Sequence, residues 1–228
     1  MHDFKHPGLN NNYLVNSRSE MSILYNDSSV LESMHCAETF KLISRKECNI
    51  LEKLPVEAYR IVRRRIIECI LSTDNAFHSK HLSQLKNIID NHVIKDENGF
   101  KALFEDDNVK LFNNQQTFLN MIIHAADISN PAKPLDLYKK WIDYVFEEFF
   151  SQGDLEKAKD LPISFNCDRD SVQISKAQIG FITLIVKPTF EVLNIVIPEC
   201  NEYLKNIAIN LKYYEEQDKD KRIRNSLK

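Results

Sequence analysis

Residues that reverse a chain are scarce in this sequence, with 4 glycines and 7 prolines among 228 residues. A β-sandwich or barrel needs many tight turns, and glycine and proline are the residues that build them. The scarcity therefore excludes a hairpin-rich fold and predicts long helices. A chain of this length forms one large domain or at most two, and it buries about 70% of its unfolded surface, so a core needs no disulfide or metal staple. We expect an all-α, compact multi-helix bundle forming a single domain over residues 1–228.

Charge narrows the partners. Thirty basic and 33 acidic residues leave a net charge of -3, which offers no general field for nucleic acid or an anionic membrane. The five cysteines are odd in number and contain no C-x-x-C pair. That pattern suits reduced thiols in a reducing compartment and disfavours a cysteine-based zinc site. The apolar run over 181–186 is interrupted by Thr183 and stops at Lys187, far short of the roughly 18 to 20 residues of a membrane span. No basic and apolar leader opens the sequence. The expectation is a cytoplasmic domain without membrane contact, its oligomeric state open.

Apolar periodicity places the helices. Val30, Leu31, Met34, Phe40 and Leu42 predict a helix over 29–43, with Ser28 or Ser29 as its cap. Pro55 suits a first helical turn, and Val62, Ile66, Cys69, Ile70 and Thr73 then form a stripe. Arg60, Arg63, Arg64 and Arg65 read as a solvated face or, less simply, a partner site. Residues 95–114, with Gly99 and acidic Glu105, Asp106 and Asp107, read as a surface loop. A helix through Phe118 ends near Asp127, because Pro131 disfavours helix before it. The next runs from Pro134 through Tyr138, Ile142, Val145 and Phe149 to a stop near Gly153. Helices over 174–186 and 199–214 follow a polar loop, and 215–228 reads as a charged, frayed tail.

Two clusters could carry chemistry. His2, Asp3 and His6 form H-D-x-x-H, which on a helix presents two imidazoles on one face to one metal. The zinc-protease motif is similar in spacing, but its helix continues past the second histidine, and Pro7-Gly8 breaks that continuation. A solvated terminus is the plain alternative. The second cluster is His124-Ala-Ala-Asp127 beside Ser129 and Asn130. Its carboxylate suits hard or borderline cations, and its plain alternative is a helix end stabilised by side-chain hydrogen bonds.

The run His2-Asp-Phe-Lys-His6-Pro-Gly-Leu-Asn-Asn11-Asn-Tyr13 is followed in order by Tyr25-Asn-Asp-Ser-Ser-Val-Leu-Glu32 and His124-Ala-Ala-Asp-Ile-Ser-Asn-Pro131. Trp141, Glu147-Glu-Phe-Phe-Ser-Gln-Gly-Asp154, Pro162-Ile-Ser with Cys167-Asp168, and Lys176-Ala-Gln178-Ile-Gly-Phe181 complete the series. Together these blocks resemble the catalytic domain of the 3',5'-cyclic-nucleotide phosphodiesterases, from residue 2 to about residue 200. The resemblance implies hydrolysis of cAMP or cGMP to the 5'-monophosphate, with two divalent ions, zinc and magnesium or manganese. It implies His2, Asp3 and Asp127 as metal ligands, and His6, Glu32 and Thr73 as holders of metal-bound waters. It implies Gln178 on the purine edge, Phe181 stacked on the base, Val145 as the opposite jaw and Asn130 nearby, while Trp141 packs. On residue type alone, Phe181 and Val145 would be core residues.

One departure matters. The family's H-N-x-x-H-A block, which supplies the proton-donor histidine and a further zinc ligand, occurs nowhere in the sequence. The expectation is an N-terminally truncated domain with exposed apolar surface, inactive alone, with Met1 an internal methionine or a misassigned start. A noncatalytic helical module that binds nucleotide or a partner is the competing reading.

Overall fold

The computed structural model of the chain describes residues 1–93 and 109–226, and among these no residue is in a β-strand. They form two compact units, Met1–His124 and Ala125–Lys228.

The first unit begins with turns over residues 2–5 and two short helices, α1 (Asn11–Asn16) and α2 (Glu20–Leu24). Asn10 and Ser19 cap them, each side chain accepting a backbone N–H three residues on. Helix α3 (Val30–Ile43) supplies much of this core, burying Val30, Leu31, Met34, Phe40 and Ile43. Each such side chain contributes about 1.5 to 3 kcal/mol through burial. Ser29 stands at the cap position, but its φ of 42° is left-handed and its hydroxyl makes no capping bond. It donates instead to Asp74, across 45 residues of sequence.

Helix α4 (Val56–Leu71) buries only Ile70, while Val56 and Ile61 are exposed. Thr73 lies two residues beyond its end. Of the arginines on α4, Arg60 and Arg64 pair along the helix with Glu57 and Glu68. Arg63 lies 4.0 Å over the Phe40 ring, and Arg65 donates to Gln115, so the solvated-face reading fails for these two. Helix α5 (His78–Ile88) runs into a π-helical turn, Ile89–Val93.

Helix α6 (Val109–Asp127) begins inside the stretch read as loop, whose residues 95–108 lie outside the described ones. Its N-terminal half breaks apolar periodicity because its polar residues are used between helices. Gln115 accepts from Arg65, and buried Gln116 donates to the Arg65 carbonyl and to Asn120. The helix ends at Asp127, as its sequence predicts; its last three residues belong to the second unit.

In the second unit a 3-10 turn, Asn130–Ala132, leads to α7 (Leu135–Ala158). The buried stripe of α7 is Tyr138, Ile142 and Phe146, and Trp141 is 47% exposed rather than packed. Gly153 does not stop this helix. A Cβ there would lie 1.8 Å from the Cys167 carbonyl oxygen, so glycine permits a close chain approach instead of a cap. Helices α8 (Ile174–Phe181) and α9 (Lys187–Val196) are joined by a π-helical turn, Ile182–Val186. The wider turn accommodates Pro188, which has no N–H to donate. The result is one apolar rod, Ile174–Val196, long enough by length and composition to cross a membrane, where the sequence alone shows only a short run. It buries Gln178, Ile182, Val186, Phe190 and Leu193.

Helix α10 (Cys200–Ser226) continues through the residues read as a frayed tail. Their charges are not all solvated, since Asp218 is buried. All five cysteines are free thiols.

Candidate functional site

The H-D-x-x-H run is not helical. Phe4 N–H donates to the Met1 carbonyl and His6 N–H to the Asp3 carbonyl, while Lys5 takes a φ of 64°. A left-handed lysine ends any helix, so His2 and His6 do not share a helical face. His2 instead pairs with its neighbour: Nε2 lies 3.1 Å from Asp3 Oδ2. Two donors at about 2.0 to 2.2 Å from one ion lie about 3 Å apart, so this nitrogen and oxygen suit a shared divalent cation. His6 stacks on His35, with ring centroids 5.7 Å apart, and its Nδ1 accepts from the Gly8 N–H.

Sequence reading missed His35. It is 1% exposed, its Nδ1 bonds the Phe4 carbonyl at 2.8 Å, and its Nε2 stands 3.7 Å from Asp3 Oδ1. A carbonyl only accepts, so Nδ1 carries a proton. Burial lowers the pKa of His35, opposed by the Phe4 hydrogen bond and the Asp3 charge. The available signal was spacing, because Glu32 and His35 lie three apart on α3.

Glu32 is clamped. Asn11 Nδ2 donates to Glu32 Oε2 at 3.0 Å, and Asn11 Oδ1 accepts the Leu31 N–H at 2.9 Å. Burial pushes the Glu32 carboxyl above its ordinary value, and the charges of Asp74 and Asp3 add to this, while the Asn11 amide opposes it. Thr73 is buried with its hydroxyl donating to the Ile70 carbonyl, and Asp74 beside it takes the Ser29 hydroxyl. The start of α3 and the end of α4 are thereby tied together behind Glu32.

Within α5 and α6 of this unit, His78 Nδ1 and His124 Nε2 share a hydrogen bond at 2.8 Å. The outer ring nitrogens of both are buried without a partner. Burial holds both pKa values down, that of His124 to about 4, so both rings are neutral at pH 7.

The second unit holds the other predicted residues. Asp127 ends α6, and Asn130 opens the 3-10 turn that follows. Gln178 is 6% exposed, and its Oε1 accepts from the Tyr138 hydroxyl. That bond turns the amide nitrogen away from Tyr138, leaving a donor for another group. Burial and neighbouring Tyr214 raise the Tyr138 pKa well above the ordinary phenol range, which keeps the hydroxyl a donor. Phe181 lies one turn beyond Gln178 on α8, and Val145 two turns beyond Tyr138 on α7; both are half-buried. Of these residues, the Gln178 amide is tied to α7 through the Tyr138 hydroxyl, while Phe181 and Val145 are placed only by their positions along α8 and α7.

The family model described as 3'5'-cyclic nucleotide phosphodiesterase matches residues 1–207. A 3',5'-cyclic-AMP phosphodiesterase, isoform F, of Drosophila melanogaster is 39% identical over 216 residues, covering 94% of this chain and 32% of its own length. The 3',5'-cyclic-AMP phosphodiesterase 4C of Rattus norvegicus is 36% identical over 216 residues, 94% of this chain and 39% of its own. The solved phosphodiesterase domain of the Salpingoeca rosetta rhodopsin phosphodiesterase superposes with a TM-score of 0.85 at 31% identity, covering 100% of this chain and 66% of that one. The chain therefore spans about a third of these curated relatives and two thirds of the solved domain.

Proposed function

The chain belongs to the 3'5'-cyclic nucleotide phosphodiesterase family, and from that premise we propose that it serves the metal-dependent hydrolysis of 3',5'-cyclic nucleotides. The carrying observation is the His2 Nε2–Asp3 Oδ2 pair at 3.1 Å, a nitrogen and oxygen donor set that suits a divalent ion.

In this reading His2, Asp3 and Asp127 are metal ligands. Two divalent ions, zinc with magnesium or manganese, would neutralise the phosphoryl oxygens and lower the pKa of the attacking water. Glu32, His6 and Thr73 orient water around the ions. Asn11 keeps the Glu32 carboxyl in place. The nucleotide is held by its base: the Gln178 amide bonds the purine edge, Phe181 stacks on one face, and Val145 closes the other. The substrate we favour is cAMP, supported by the relatives' names and by Asn130 beside the base.

Departure of the 3' oxygen needs a proton, and the sequence contains no H-N-x-x-H block to supply it. Loss of a general acid costs about a hundred- to ten-thousand-fold in rate. The chain alone is therefore nearly inactive. The test is hydrolysis of cAMP and cGMP, with manganese and zinc, by this chain beside a version extended upstream through an H-N-x-x-H block. The expected result is turnover of cAMP by the extended form alone. Comparable rates would overturn the account of the missing acid. No turnover by either would overturn the catalytic reading in favour of a nucleotide-binding module.

A further inference from the structure

Helix α5 carries two imidazoles that the proposed hydrolysis does not use. His78 and His81 stand three residues apart, so they share a helix face with Cβ atoms about 5 to 6 Å apart, a spacing at which two side chains can meet one ion. Each ring has one nitrogen engaged by a neighbour. His78 Nδ1 shares its hydrogen bond of 2.8 Å with His124 Nε2 on α6. The hydrogen bond between the His81 and Gln84 side chains raises the His81 pKa, so the Gln84 amide oxygen accepts from a His81 N–H.

A neutral imidazole that donates from one nitrogen carries a lone pair on the other. When His78 Nδ1 donates, that lone pair is on Nε2, which is buried and meets no hydrogen-bonding partner in the protein. When Nδ1 accepts, the lone pair falls on His124 Nδ1, equally buried and equally without a partner. Either way a lone pair is left unanswered in the interior, which is costly, and a cation on His78 Nε2 selects the first arrangement. Burial lowers the pKa of both His78 and His81, which keeps their lone pairs free of protons at neutral pH. The charge of Asp74 acts on His81 in favour of a cation, and that of Lys80 acts against it.

We propose that His78, through Nε2, and His81 form a second cation site, sharing no residue with His2 and Asp3, that takes a borderline transition ion of the zinc and copper class. His124 and Gln84 stand behind the two rings as the acceptors that fix them, the partners that metal-bound histidines ordinarily have on the other nitrogen. Nitrogen ligands favour zinc, nickel and copper(II) over magnesium and calcium, and water fills the remaining positions. The site stands whether or not the chain is a hydrolase.

The experiment is titration calorimetry with zinc chloride and with magnesium chloride, beside the ring-nitrogen resonances of the histidines. It is done in an Asp3→Asn background, which disables the pair at His2 and changes an exposed residue. One zinc ion is expected to bind in the micromolar range, with no binding of magnesium, and the His78 and His81 ring nitrogens shift together. His81→Ala, at a half-buried position, should abolish that binding, and His124→Leu should weaken it about 10- to 100-fold. Should His124→Leu not fold, His81→Ala and the resonances decide. Zinc binding as tight in His81→Ala as in its background would overturn the proposal, as would equal binding of magnesium or no binding of zinc. None of these failures touches the hydrolytic reading, which rests on His2 and Asp3.

Discussion

His78 and His124 meet ring to ring in the interior of the first unit, joined by one hydrogen bond of 2.8 Å, with no carboxylate between them. One proton lies between two nitrogens, so a second proton on the pair places like charges in contact in a buried site.

The first prediction follows from that pair. Burial lowers the His124 pKa from 6.5 to about 4, so between those values the unfolded chain binds more protons than the folded one. Stability is then full above about pH 6.5 and falls as pH drops toward 4, by on the order of 3 kcal/mol for one such group. Urea unfolding across pH 4 to 8 checks this. His124→Gln should flatten the slope in that window, and an unchanged slope would assign the acid sensitivity elsewhere.

Asn11 and Glu32 give a second prediction, of opposite sign. Asn11→Asp keeps the acceptor for the Leu31 N–H but replaces the donor to Glu32 with a carboxylate. The shared site then holds a proton more tightly folded than unfolded, so stability falls as pH rises above about 4.5, by about 1 to 3 kcal/mol at pH 8. Asn11→Ala removes both bonds and should be destabilised at every pH. Parallel pH profiles for the two variants would contradict the clamp.

Gly153 and Gly180, both within helices, should respond differently to the same change. At Gly153 a methyl group meets the Cys167 carbonyl at 1.8 Å, and the backbone must part, costing about 3 kcal/mol or more. At Gly180 nothing lies within 4 Å of the added carbon, and the helix gains about 0.5 to 1 kcal/mol. Thermal unfolding of Gly153→Ala and Gly180→Ala reads both, and equal shifts would refute the close approach.

Glu156 is 0% exposed and accepts the Ser164 N–H, the Ser164 hydroxyl and the Gln152 amide. Glu156→Gln turns one of its acceptors into a donor facing donors, at a cost of about 1 to 3 kcal/mol. Hydrogen exchange at the Ser164 amide should accelerate well beyond that of amides in α10. Uniform exchange would show that Glu156 does not anchor the loop before α8.

What the sequence discloses tracks how local the physics is. The helix over 29–43 is legible because its apolar spacing repeats every turn, and Asp127 falls at a helix end because Pro131 constrains the residues before it. Gly153 misleads because glycine serves both as a helix stop and as a gap for a neighbouring chain. Residues 109–114 mislead because Gln115 and Gln116 are polar yet spent between helices. Asn206 and Asn210 are invisible in sequence, since their partners lie 74 to 79 residues away. The family blocks name the residues proposed for the chemistry, while the side chains that support them, such as Asn11 behind Glu32, emerge only in three dimensions.

Asn210 and Tyr214 on α10 also impose an order of events at the ribosome. Pro131, Lys133 and Tyr138 are all synthesised before the α10 side chains that meet them: Asn210 donates to the Pro131 and Lys133 carbonyls, and Tyr214 lies edge-on against the Tyr138 ring. Until Asn210 and Tyr214 clear the exit tunnel, the turn at Pro131 has unanswered carbonyls and Tyr138 has no ring against it. A nascent chain halted near residue 200 would carry every residue assigned to the nucleotide while these carbonyls and this ring still lacked their partners.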